Sequence, residues 1–301
     1  MRLSLRNLLF VVSLAAALGS LVSNQAQACA SCGSGSDDPL ILWPNETFKS
    51  YIGFSTSGRY KTVDPNGKFG TESGPTDRDS LTLAVAHALR SDLFFSWTMP
   101  FMQNRLAGSS LRSLGDPMAA VRWSWLLPEF SEPWRPQVQV MASHKFVQSR
   151  SLQESDRPDL LDAFGTGIPE TKVGVDAFWG MHQLKGGFAW AMLFPEERAL
   201  GRAIVFPGNG IRTTLTVGHA LGEKNKIIGG VVREARQQRR TDGQLIARSE
   251  SVSHSGFVTF DVSLLDSSTL RLSFSDRGRL FENKNMIASQ SWSAALLTTW
   301  E

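Results

Sequence analysis

The chain has 301 residues, 42% hydrophobic, 20% charged and 10% aromatic, with 26 glycines, 13 prolines, nine tryptophans and two cysteines. This excludes a collagen-like repeat, a disordered tail and a disulfide-stapled miniprotein, and the length allows one large domain or two ordinary ones. The formal charge is +3, and losing Arg2 and Arg6 with a leader lowers Lys+Arg from 31 to 29 against 28 Asp+Glu, too even a balance for a nucleic-acid partner.

Arg2 and Arg6 precede an apolar run from Leu8 to Val22, and Ala26-Gln27-Ala28 follows after a polar stretch. That order of basic, apolar and small residues predicts a secretory signal peptide over 1–28. The run is shorter than the ~20 residues a helix needs to span a bilayer. After Val22 no apolar run of the length required for a membrane helix occurs. Cleavage after Ala28 places Cys29 first, at CxxC spacing from Cys32. An exported CxxC can close a small disulfide, hold a soft metal as thiolates, or expose Cys29 for lipidation. Haem attachment is excluded because Gly33 follows, not His. Residues 29–46 read as a Gly/Ser-rich periplasmic segment. It either dangles, as a candidate contact for a periplasmic partner, or tucks into a lumen as a plug.

A period of two then runs to the end of the chain, which is the spacing of strands with two unlike faces. Phe48/Ser50/Ile52/Phe54 opens the series, followed by alternation over Thr82 to Leu89 and by Leu93/Phe95/Trp97/Met99/Phe101. Val121/Trp123/Trp125, Val138/Val140/Ala142, Val173/Val175/Trp179 and Phe188/Trp190/Met192/Phe194 continue it. Ile211 to Val217, Ile227 to Gln237, Val258 to Leu264, Leu270 to Phe274 and Trp292 to Trp300 complete 12 predicted strands, the stretch from Ile227 being the least regular. Predicted long connections at 61–79, 106–115, 149–168, 196–208, 239–252 and 279–289 alternate with short ones near Ser91-Asp92, Pro128 to Trp134, His182-Gln183, Gly222 to Asn225 and Asp266-Ser267.

Long loops at one end and short turns at the other form the pattern of an outer-membrane barrel. In hydrocarbon every backbone N–H and C=O needs an internal partner, so strands can span only as a closed sheet. The predicted lipid faces of the ten clearer strands carry no Lys, Arg, Asp or Glu, whereas the opposite faces carry Arg122, Lys145, Lys172, Asp176, Lys185, Arg212, Asp261 and Arg271. The chain is therefore predicted to be all-β: a transmembrane up-and-down antiparallel β-barrel of about 12 strands over 47–301, with those eight charges lining the pore. Trp97, Trp123, Trp125, Trp179, Trp190, Trp292 and Trp300 suit aromatic girdles. His87, His144 and His219 fall on the outward face. An exported β-sandwich shares the alternation, but has no need of the regular loop lengths or so many tryptophans.

Ser113-Leu114-Gly115-Asp116 at the opening of the fourth strand, Phe164-Gly165-Thr166-Gly167 before the sixth, and the aromatic terminal strand resemble the outer-membrane transporters named for the meta-pathway of phenol degradation. The resemblance covers about residues 47 to 301. It implies passage of small, often hydrophobic molecules across the outer membrane; Gly115-Asp116 taken alone equally suits an ordinary turn.

The functional expectation is an outer-membrane channel or transporter for small solutes, hydrophobic or anionic, since a ring of Lys and Arg favours anions. The alternative is an outer-membrane anchor whose Cys29/Cys32 segment handles a metal or a redox partner. A lesser alternative is a lipid hydrolase, but the residues two beyond His87, His144, His182, His219 and His254 are Leu89, Phe146, Leu184, Leu221 and Gly256. No His and Ser are therefore spaced to share a strand face as base and nucleophile. Outer-membrane lipid and a small solute are the expected partners, no catalytic residue or cofactor is called for, and the oligomeric state is open. The run Arg236 to Arg240 reads as a solvated loop charge.

Overall fold

The structure, a computed structural model, describes residues 40–42, 46–70, 77–126, 135–181, 183–222, 224–279 and 281–300. The predicted leader, Cys29 and Cys32 lie outside the described residues.

All 12 predicted wall strands are present among the described residues. The first half of the wall runs β1 (Phe48–Val63), β2 (Asp77–Arg90), β3 (Leu93–Leu106), β4 (Ser109–Leu114) with β5 (Met118–Leu126), β6 (Gln137–Lys145) and β7 (Glu170–Met181). A small sheet outside the wall is made by β9 (Arg198–Leu200), β10 (Ala203–Phe206), β13 (Arg240–Thr241) and β14 (Gln244–Leu245). The wall continues through β8 (Leu184–Pro195), β11 (Gly210–Leu221), β12 (Asn225–Arg236), β15 (Ser251–Leu265), β16 (Ser268–Arg277) and β17 (Met286–Trp300). Neighbours pair antiparallel, and β1 pairs with β17 from Phe48↔Trp300 to Val63↔Met286. The result is a closed 12-stranded barrel with no free edge.

The faces are as the alternation predicts. Phe188, Trp190, Met192 and Phe194 are exposed, as are Val173, Val175 and Trp179, while the intervening residues of β8 and β7 point into the barrel. Trp123, Trp125, Trp179 and Trp300 lie on the outward face close to the short-turn end, and so form one aromatic girdle rather than two equal ones. The weak alternation of β12 has a packing cause. A Cβ on Gly230 would come within 2.5 Å of the Phe257 ring, so the missing side chain is the room in which an inward aromatic lies against the wall. Arg233 on the same strand is exposed and faces outward.

Three connections differ from expectation. The stretch 106–115 is not a long loop: β3 continues to Leu106, turns at Ala107 and Gly108 with φ of 47° and 87°, and returns as β4. Their outward positions Arg105, Ser110 and Arg112 are polar because they stand above the apolar band, so alternation could not reveal them. β4 and β5 together make the fourth wall strand, interrupted at Gly115-Asp116-Pro117, where Gly115 N–H donates to Pro100 O at 2.8 Å. The expected loops 196–208 and 239–252 are largely ordered by the four-stranded outer sheet, joined by Val205↔Thr241 and Phe206↔Arg240.

Candidate functional site

The lumen divides by height into three layers. At the short-turn end Leu40, Ile41 and Leu42 lie inside the barrel at 0%, 1% and 3% exposure. They pack on Ala84 and Ala86 of β2, Phe94 of β3, Phe178 of β7 and Ile228 of β12. Lys49 Nζ donates to Ile41 O at 2.9 Å and to Glu46 Oε2 at 2.7 Å. Of the segment read as dangling or tucked into the lumen, the described residues Leu40 to Leu42 lie inside the barrel. Phe94 and Phe178, each of them inward on its strand, form part of its seat.

Around the plug the charges are paired. Arg122 bonds Asp176 across β5 and β7, both nearly inaccessible. Arg271 holds Asp261 through two bonds of 2.8 and 2.9 Å, and Lys226 lies 3.6 Å from the same carboxylate. The neighbouring wall carries Gln139, fully buried, which donates to Ser124 Oγ at 3.2 Å. Four of the eight predicted pore charges, Arg122, Asp176, Asp261 and Arg271, thus make neutralised pairs low in the lumen. Lys185 is inward and half-buried near the short turn after β7. Truncating one partner of a buried pair strands the other, at a cost of about 3–5 kcal/mol. Arg122→Ala is therefore expected to lower the temperature at which the heat-sensitive gel mobility of the folded barrel is lost, and Arg122→Ala/Asp176→Ala to restore most of it. A single variant as heat-resistant as the parent would count against the pair.

The upper lumen is cationic. Arg212 sits opposite Glu234 in the β11/β12 register, Arg277 donates to Ser253 Oγ at 3.2 Å, and Lys172 is inward on β7. Arg236 joins Glu170 at 2.6 Å and Glu234 at 2.8 Å; it belongs to the lumen, which corrects its reading as a loop charge. On the facing wall Arg78 donates to Asn104 Oδ1 and to Ala163 O, each at 2.8 Å, and Arg59 lies inward two positions above Ser57, the register partner of Arg78. Six cations, Arg59, Arg78, Lys172, Arg212, Arg236 and Arg277, thus face two carboxylates, Glu170 and Glu234, among the described residues.

Over this layer the connection 146–169 folds inward. Asn104, fully buried, donates to Leu161 O and Ala163 O at 2.9 Å each, and Leu161, Ala163 and Phe164 are buried. The connection is anchored where the two motifs of the family resemblance meet. Asp116 Oδ1 accepts from Gln148 N–H at 3.1 Å, Ser149 N–H at 2.9 Å and Ser149 Oγ at 2.6 Å. A Cβ on Gly165 would lie 2.0 Å from Ser149 Oγ and 2.4 Å from Asp116 Oδ2, so glycine is needed for this contact. Gly115-Asp116 is more than a turn: it clamps the inward connection. Lys145, another predicted pore charge, donates to Thr166 Oγ1 at 2.8 Å and so also belongs to the clamp.

Carboxylates hold the rest of the connection together. Arg157 donates two bonds to Asp159 at 2.9 and 2.8 Å, and this hydrogen bonding holds the Asp159 carboxyl down at about 2. Burial pushes Asp162 up, but the Ser155 hydroxyl, the Asp156 N–H and Arg150 outweigh it and leave it below the usual value. Carboxyls depressed on folding contribute stability above their ordinary value near 3.8 and lose it as pH falls through about 2. Pepsin, active throughout this range, is expected to cut the connection readily at about pH 2 and slowly at about pH 4, with the barrel intact at both. Equal cleavage at the two values would show that these carboxyls do not hold the fold. Asp116→Ala, which strips three bonds from one carboxylate, should admit trypsin at Arg150 and Arg157 at neutral pH, whereas a resistant variant would place the anchor elsewhere.

His144 Nδ1 lies 3.0 Å from Thr171 Oγ1, and His254 Nδ1 lies 2.9 Å from Glu282 O; His87 and His219 are exposed on the outward face. Among the described residues no group of three or more His, Cys, Asp or Glu is placed to hold a metal.

The molecule is a transmembrane β-barrel with an inward-folded connection at its long-loop end and Leu40 to Leu42 in the lumen at the other. Among solved structures it is similar to the COG4313 outer membrane channel from Pseudomonas putida F1, with a TM-score of 0.69 at 9% identity over 89% of this chain and 99% of that one. Weaker likenesses include the KdgM porin in complex with disordered oligogalacturonate, with a TM-score of 0.47 at 7% identity over 83% and 99% of the two chains. The CymD monoaromatic hydrocarbon channel follows, at 0.42 and 8% identity over 85% and 89%. No protein-family model matches the sequence, and no curated protein does.

Proposed function

We propose that the protein is a passive outer-membrane channel for small anionic solutes, with its long loops outside the cell and its short turns in the periplasm. The observation that carries this reading is the charge separation by height: the lower cations are largely matched by Glu46, Asp176 and Asp261, while six upper cations face two carboxylates. A cationic mouth in a low-dielectric wall concentrates anions and repels cations before they reach the narrow section. The shared barrel fold with an outer membrane channel supports the location, and the predicted signal peptide supports export.

The test is single-channel recording of refolded protein in a planar bilayer under a KCl gradient, after heat-dependent gel mobility has confirmed a folded barrel. Ohmic steps with a reversal potential displaced toward that of chloride are expected. A folded barrel that never conducts, even with the plug removed, would overturn the channel reading in favour of the anchor that carries Cys29 and Cys32.

A further inference from the structure

The seat of the plug has two unlike ends. One is apolar: Ala84, Ala86, Phe94, Phe178 and Ile228 enclose three aliphatic side chains almost completely. The other is polar and carries a cationic excess: Lys49, Lys226 and Arg271 against Glu46 and Asp261. Lys49 marks the junction, since its ammonium reaches the carbonyl of the middle plug residue. Ammonium has three donors, and a carbonyl is a weaker acceptor for it than a carboxylate.

An apolar pocket in an otherwise polar lumen, closed at one end by a cation, is the outline of a binding site for an amphipathic anion. Its present occupant shows what fits. Three residues reach at most about 10 Å, the length of a medium alkyl chain, and the side chains of Leu40, Ile41 and Leu42 are branched aliphatic rather than aromatic. We propose that this seat binds a medium-chain aliphatic carboxylate, and that Leu40 to Leu42 act as a tethered competitor which such a solute displaces on its way through. The alkyl chain takes the place of the Leu40, Ile41 and Leu42 side chains, and the carboxylate takes the place of Ile41 O on Lys49. The inference rests on the channel reading and adds to it a substrate class and a means of opening. A solute bound only when the plug has left shifts the closed and open populations in proportion to its occupancy.

The test uses the full chain reconstituted in lipid vesicles, with Cys29→Ser and Cys32→Ser in the background and Ile41→Cys as a reporter. The rate of its reaction with a membrane-impermeant thiol reagent measures how often the segment leaves the seat. Octanoate is expected to raise that rate saturably, by about tenfold, while acetate, which has the charge without the chain, leaves it unchanged. Lys49→Gln should abolish the saturable response to octanoate. Octanol equal to octanoate would overturn the role of Lys49 and the carboxylate, and no response to octanoate would overturn the site altogether. Recording from the plug-removed protein separates this failure from that of the channel reading: ohmic steps unaffected by octanoate sink the site alone, whereas absence of steps sinks the channel.

Discussion

Replacing Leu40, Ile41 and Leu42 together by serine is expected to raise the time-averaged single-channel conductance by about tenfold, because it tips a balance that favours the seated segment by only about 1.5–3 kcal/mol. Full burial of a Leu or Ile side chain is worth about 1.5–3 kcal/mol, or about 5–9 kcal/mol for the three. Ordering three residues costs about 1–2 kcal/mol each in backbone freedom, with about 0.5–1 kcal/mol more for each Leu or Ile side chain, which comes to a similar total. The bond from Lys49 to Ile41 O adds only about 1.5–3 kcal/mol at most. Serine removes nearly all of the favourable side, so the segment leaves the seat. The wall should not notice, since its closure depends on the ladder from Phe48↔Trp300 to Val63↔Met286 and not on the plug. Heat-dependent mobility should therefore match that of the parent protein. Parental conductance in a folded variant would mean that the narrow section lies elsewhere, with the inward connection at Leu161 to Phe164 the next place to look.

The parts of this molecule that were legible in the sequence are those that lipid constrains. Phe188, Trp190, Met192 and Phe194 must all face hydrocarbon, so their spacing declares a strand and its orientation. Above the lipid the constraint disappears. Gln103 to Arg105 and Ser109 to Arg112 continue the wall as β3 and β4 with no apolar face to betray them. Residues that meet through the fold were hidden for another reason. Asp116, Ser149 and Gly165 share one clamp, yet they are 16 to 49 positions apart, and a Gly-Asp pair looks like any turn until its partners are known. The plug left a faint trace in Leu40-Ile41-Leu42, three large apolar residues in a polar lead, which alternation does not weigh because they belong to no strand. Alternation assigns the charges to a face, but face says nothing of height. Height separates Arg122, shut in with Asp176, from Arg212, which stands across from Glu234 in the cationic layer.

That distinction decides which substitutions should alter selectivity. Arg122→Glu would set two carboxylates against each other in a site with almost no water, and its main effect would be on folding. Arg212→Glu with Arg277→Glu acts in the layer where cations outnumber carboxylates. Each reversal changes the local charge by two, so the six cations and two carboxylates of the upper layer become four and four. Arg236 keeps its contacts to Glu170 and Glu234, and the lower pairs are untouched. The anion preference is expected to collapse or to give way to a weak cation preference, read as movement of the reversal potential through zero under a KCl gradient. The effect should be large near 0.1 M salt, where screening acts over about 10 Å, and small near 1 M, where it acts over about 3 Å. Arg212→Gln with Arg277→Gln, which leaves four cations against two carboxylates, should give an intermediate preference and guards against misfolding of the charge-reversed protein. If both folded variants keep the parental reversal potential, the solute path does not pass the cationic layer, and the charge separation by height has no part in selectivity.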